Sequence, residues 1–127
     1  MFVVDDEQHV RQGLRMRLGM EPDIVVVGEA ADGESALDQV PGARPDVVLM
    51  DVNLPSIDGI AATARLREVS PGCAVVMLSM DDDAEIRERA LAAGAAQFVG
   101  KHDIDSTLMH AIRAAAEHAD ATEGGAE

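Results

Sequence analysis

Four apolar runs in this chain each end in a residue that can do chemistry. Asp5-Asp6 follows Phe2-Val3-Val4, Asp51 follows Val47-Val48-Leu49-Met50, Ser79 follows Ala74-Val75-Val76-Met77-Leu78, and Lys101 stands just beyond Phe98-Val99. If the runs are buried parallel strands, their carboxyl ends share one rim of a sheet, which is where open α/β sheets place their ligands. Three carboxylates, a hydroxyl and an ammonium would then meet in one crevice. Such a group of acids is costly without a compensating cation, and hard oxygen donors suit Mg²⁺, which leaves one aspartate to attack phosphorus.

The rest of the sequence supplies the elements that would hold these residues. Strand-like runs alternate with helix-like segments five times, the pattern of a parallel sheet covered on both faces. Val10, Leu14 and Leu18 recur at helical spacing, with Arg11, Arg15 and Arg17 outside the stripe, and this helix ends near Met20 before Pro22. Ile24–Val27 is β-branched and predicts the second strand. Asp32 is placed to cap a short helix on Ala36, Leu37 and Val40, which face inward before Pro41 and Pro45 break it. Residues 53–58 have loop chemistry, and Ala62, Thr63 and Leu66 continue from Gly59 as a helix toward Val69. Asp81-Asp82-Asp83 suits a helix start, Ile86 and Ala90 give that helix its inner face, and Gly94 suits its end. Gln97–Val99 predicts a fifth strand, and Leu108, Ile112 and Ala115 place the last helix between about Ser106 and His118.

With 127 residues the chain fits one domain. No Trp or Tyr and only two Phe are present, so the core must be aliphatic. The net charge of −14 repels phosphate backbones and anionic lipid, which argues against nucleic-acid or membrane binding by this segment. Cys73 is single, which excludes an intramolecular disulfide. The amino end has no basic flank before a long apolar run, so a secretory leader and a membrane span are not expected, and a cytoplasmic location is. Residues 119–127 carry too little apolar character to pack and predict a flexible tail or the start of a linker.

In order, spacing and context, residues 1–118 resemble the receiver domain of a two-component response regulator. The wording Val-Val-Leu-Met-Asp-Val-Asn-Leu-Pro-Ser-Ile-Asp-Gly, with Glu29-Ala-Ala-Asp-Gly and Leu91-Ala-Ala-Gly-Ala, is most similar to receivers of the LuxR/NarL type. The resemblance implies a flavodoxin-like, doubly wound sheet of five parallel strands in the order 2-1-3-4-5 with five helices. It implies phosphorylation of Asp51 by a sensor histidine kinase, with Mg²⁺ on Asp5, Asp6, Asp51 and the carbonyl of Asn53. Lys101 and Ser79 would bind the phosphoryl group, Ser79 and Phe98 would move as a switch, and Asn53 and Asp81 would tune hydrolysis. A DNA-binding output domain would follow in the full-length protein. Signalling would use the face of the fourth helix, fifth strand and fifth helix, or a homodimer through the first and fifth helices, with Ala111, Ala114 and Ala115 as points of close approach.

Alone, Asp5-Asp6 is more often a solvated loop pair, Lys101 a surface lysine and Ser79 a turn residue, while for Phe98 a plain core aromatic and a switch are evenly matched and can coexist; their conjunction carries the reading. His9, His102, His110 and His118 form no zinc pattern. Rivals are a stand-alone or pseudo-receiver docking module, a haloacid-dehalogenase-type phosphatase and a dinucleotide-binding module. The phosphatase places its nucleophile after the first strand in Asp-x-Asp, whereas Asp51-Val52-Asn53 lacks the second Asp. No Gly-x-Gly-x-x-Gly follows the first strand. Two positions depart from the common receiver pattern: His102 where many have Pro, and Met80 where many have a smaller residue.

Overall fold

The computed structural model describes residues 1–80, 83–101 and 106–125. Five strands, β1 (Phe2–Val4), β2 (Gly28–Ala30), β3 (Val47–Asp51), β4 (Ala74–Ser79) and β5 (Gln97–Gly100), alternate with helices α1 (Gln8–Gly19), α2 (Gly33–Ala43), α3 (Gly59–Val69), α4 (Ala84–Ala92) and α5 (Ser106–Gly125). The sheet order is β2-β1-β3-β4-β5 and every pairing is parallel. This is the doubly wound topology the resemblance implied.

Alternation along the strands divides the core in two. Phe2, Val4, Val48, Met50, Val75, Met77 and Phe98 pack with Ala36, Val40, Ala62, Leu66 and Ala90 of α2, α3 and α4. Val3, Leu49, Val76, Leu78 and Val99 pack with Leu14, Leu18, Leu108, Ile112 and Ala115 of α1 and α5. Helices on both faces explain why the central strands are apolar without a break. The helix starts are capped as their sequences suggest: Asp32 accepts from the Ser35 amide at 2.7 Å, Asp58 from Ala61 at 2.8 Å and Asp83 from Glu85 at 2.8 Å. Gly94 follows α4 at φ 109°, the left-handed conformation that glycine adopts without strain.

Four expectations need correction. The second strand is Gly28–Ala30, not Ile24–Val27. In the β1–β2 register Phe2 lies opposite Gly28, and the earlier run meets Met1, whose O accepts from the Val27 amide at 2.8 Å and whose N donates to Val25 O at 3.0 Å. Helix α2 continues past Pro41 to Ala43, because a proline in the last turn removes only one ladder bond, and Arg44 closes the helix at φ 51°. The backbone of α5 runs to Gly125 rather than ending near His118; Ala119 and Ala121 are strong helix formers and no proline intervenes. Ala111 and Ala115 are buried against the sheet and offer no outer surface, leaving only Ala114 partly exposed. Among the described residues no helix is long and apolar enough to cross a membrane.

Candidate functional site

The carboxyl ends of β1, β3, β4 and β5 deliver the expected residues to one place. Asp5 follows β1, Asp51 ends β3, Ser79 ends β4 and Lys101 follows β5. Register brings them level: Asp51 lies opposite Leu78, and Ser79 opposite Gly100, the neighbour of Lys101. The Lys101 Nζ reaches Asp5 Oδ2 at 3.2 Å and Asp51 Oδ2 at 3.3 Å. Asp5, Asp51 and Ser79 are buried, whereas Asp6 and Asn53 are exposed.

The backbone fixes the two buried acids. Asp5 Oδ1 accepts from the Glu7 amide at 2.9 Å, and the Asp5 amide donates to Ala30 O at 3.2 Å. Asp51 Oδ1 accepts from the Asn53 amide at 3.2 Å. Behind Asp51 the loop closes through Gly59 N–H to Val52 O at 2.8 Å, and a Cβ at position 59 would collide with the Asp51 carbonyl oxygen. Gly59 is therefore required here, a role its place at a helix start did not reveal. Thr63, also buried, donates its hydroxyl to Gly59 O at 2.7 Å.

Burial pushes the Asp51 carboxyl above its ordinary range; Lys101 opposes this and the nearby Asp5 charge reinforces it. Burial also lowers the Lys101 ammonium, but Asp51 and Asp5 together outweigh it and the net shift is upward. One cation facing two buried acids leaves negative charge uncompensated. Oxygens of Asp5, Asp6 and Asp51 all lie within 4.8 Å of one another. Three hard donors at that spacing, in excess of the local positive charge, fit a small divalent cation such as Mg²⁺.

Phe98 is buried on the α4 face of the sheet, with the Arg87 guanidinium 5.0 Å from its ring centroid. Asp81 and His102 lie outside the described residues. Sequence reasoning missed a further group beside the acids: Arg11 Nη1 donates to Asp5 O at 2.6 Å and Arg11 Nε to Glu29 Oε1 at 3.2 Å. Its only signal was that Arg11 stands off the apolar stripe of α1.

Comparison with known proteins agrees with this geometry. Residues 1–113 match the response regulator receiver domain, and the chain belongs to that family. It is 36% identical over 117 residues to the transcriptional regulatory protein DegU of Brevibacillus brevis, covering 92% of this chain and 50% of that protein. It is 33% identical to the nitrate/nitrite response regulator NarL of Escherichia coli K12, covering 91% of this chain and 54% of NarL. Among solved structures, a two-component response regulator of the LuxR family from Aurantimonas superposes with TM-score 0.88 at 32% identity, covering 92% of this chain and 84% of that one. The chain thus spans about half the length of the curated relatives it matches, and it is a receiver domain of the kind found in LuxR-type regulators.

Proposed function

We propose that Asp51 accepts a phosphoryl group from a phosphohistidine of a sensor histidine kinase, and that the change is passed to a DNA-binding output domain. The observation that supports this most strongly is the buried Asp5–Lys101–Asp51 group with the exposed Asp6 at its mouth. An Asp51 carboxylate oxygen would form the new O–P bond as the histidine N–P bond breaks, and the imidazole leaves with the bonding pair. Such transfer is catalysed mainly by positioning and by neutralising charge on the equatorial oxygens. Asp6, Asp51 and the Asn53 carbonyl, with Asp5, would hold Mg²⁺. Bound there, the ion supplies positive charge to the phosphoryl oxygens.

Lys101 would move its contact from Asp51 to a phosphoryl oxygen as a point charge, and Ser79 at the adjacent strand end would donate its hydroxyl. Phe98, next to β4 and under α4, would carry the change to the α4–β5–α5 face. The similarity to transcriptional regulators supports a helix-turn-helix partner beyond this segment, a cytoplasmic setting, and homodimerisation as one form of output. Asn53, exposed beside Asp51, would leave room for a water to hydrolyse the acyl phosphate.

Acetyl phosphate with Mg²⁺ should add one phosphoryl mass to the wild-type protein. Asp51→Asn and wild type in EDTA should both stay unmodified by intact mass spectrometry. Modification of Asp51→Asn at the wild-type level would overturn the assignment and favour another acceptor.

A further inference from the structure

The arginine behind the acidic pair holds the peptide on which the pair is built. We propose that Arg11 is a positioning residue for the divalent-cation site, acting through the Asp5–Asp6 peptide, and that Glu29 and Arg15 keep Arg11 in place. The inference rests on the reading that Asp5, Asp6 and Asp51 take Mg²⁺.

Three observations carry it. Arg11 Nη1 donates to the Asp5 carbonyl at 2.6 Å, and that carbonyl belongs to the peptide plane joining Asp5 to Asp6. The Asp5 side chain is already held by Glu7 and Lys101, so the plane chiefly decides where the exposed Asp6 points. Arg11 is itself held from the far side: Nε donates to Glu29 Oε1 at 3.2 Å, and Arg15, one turn along α1, donates to Glu29 Oε2 at 2.8 Å. The Arg11 side chain is only 13% exposed, which limits its other conformations.

Glu29 stands opposite Val3 in the β1–β2 register and so on the strand next to the acids. Hydrogen bonding from Arg15, with a smaller share from Arg11, keeps its carboxyl below the ordinary range against the cost of desolvation. The planar guanidinium fork reaches a carbonyl and a carboxylate at once; a lysine ammonium on its flexible stem is not preorganised to do so. Groups that orient metal ligands from behind typically contribute about 10–100-fold in affinity.

Charge and positioning predict opposite signs, which makes the proposal testable. Removing a cation near three acids should tighten metal binding if only through-space attraction matters. If Arg11 positions the acids, removal should weaken it. Mn²⁺ binding followed by electron paramagnetic resonance, on protein shown folded by circular dichroism, should give an affinity about tenfold lower for both Arg11→Ala and the charge-preserving Arg11→Lys. Glu29→Gln should move the same way by less, and the Asp6 amide should exchange its hydrogen faster in each variant. Tighter binding by Arg11→Ala, or wild-type affinity in Arg11→Lys, would overturn the proposal and leave the metal site standing. Wild-type protein that takes up no Mn²⁺ would overturn the site reading, and this inference with it.

Discussion

Two ionic groups in which one cation bridges two acids lie in different parts of the molecule. Lys101 joins Asp5 and Asp51 at the carboxyl rim, with side-chain exposures of 16%, 1% and 5%. Arg113 of α5 joins Glu21 and Asp23 in the loop after α1, with exposures of 46%, 22% and 56%. Their aspartates are perturbed in opposite directions. A hydrogen bond from Arg113 holds Asp23 below its ordinary value, whereas burial raises Asp51 despite Lys101. Water solvates the outer group whatever its partners do. The inner group must find compensation inside the protein, and one lysine between two buried acids is insufficient. A cation or a phosphoryl ligand has something to do at the first group and nothing comparable at the second.

The comparison predicts a graded series. Lys101→Met removes the one cation among the buried acids and should destabilise the metal-free protein by about 2 kcal/mol in urea denaturation. That is below the range for fully enclosed pairs because water reaches Lys101, and Mg²⁺ should restore most of the loss by binding the folded state. Asp51→Asn has the opposite sign: it removes an undercompensated charge and should stabilise the metal-free protein at neutral pH. If Asp51→Asn is less stable than wild type there, the inner group is not frustrated as described.

The pH dependence sharpens the contrast. A carboxyl raised in the folded state holds its proton more tightly there, so its contribution to stability is fully present below the ordinary value of 3.8 and is lost as pH rises through the higher folded value. The stability gap between Asp51→Asn and wild type should therefore open over that interval and be smallest in acid. Asp23 behaves inversely, its contribution present above 3.8 and lost as pH falls through its lowered value. The smallest effect is expected for Arg113→Gln, with a thermal midpoint indistinguishable from wild type in moderate salt, since exposed pairs are screened. A large loss there would show that the outer group is structural.

Much of the carboxyl rim was legible because it depends on residues at the ends of buried runs. A strand apolar on both faces needs no register information to show where it stops, so Asp5, Asp51, Ser79 and Lys101 could be placed from the chain alone. The second strand was misplaced because β-branching at Ile24–Val27 measures fit to a pleated surface, while pairing depends on which residues of β1 stand alongside. Proline at 41 suggested a stop, but the last turn of a helix tolerates it. The Arg11–Glu29 contact joins positions 18 residues apart and was hidden by ordinary surface-like composition. Gly59 was visible as a residue but not as a necessity, since a close backbone approach has no local signature.

That approach has a mechanical consequence. Helix α3 begins hard against the main chain of Asp51, with no space between them for even one methyl group. The proposed phospho-acceptor thus has its main chain against a wall. Were phosphate added to its carboxylate, β3 would have no room to recoil toward α3 at this point. On the proposed reading, a glycine on the far side would limit the directions open to a phosphorylated Asp51.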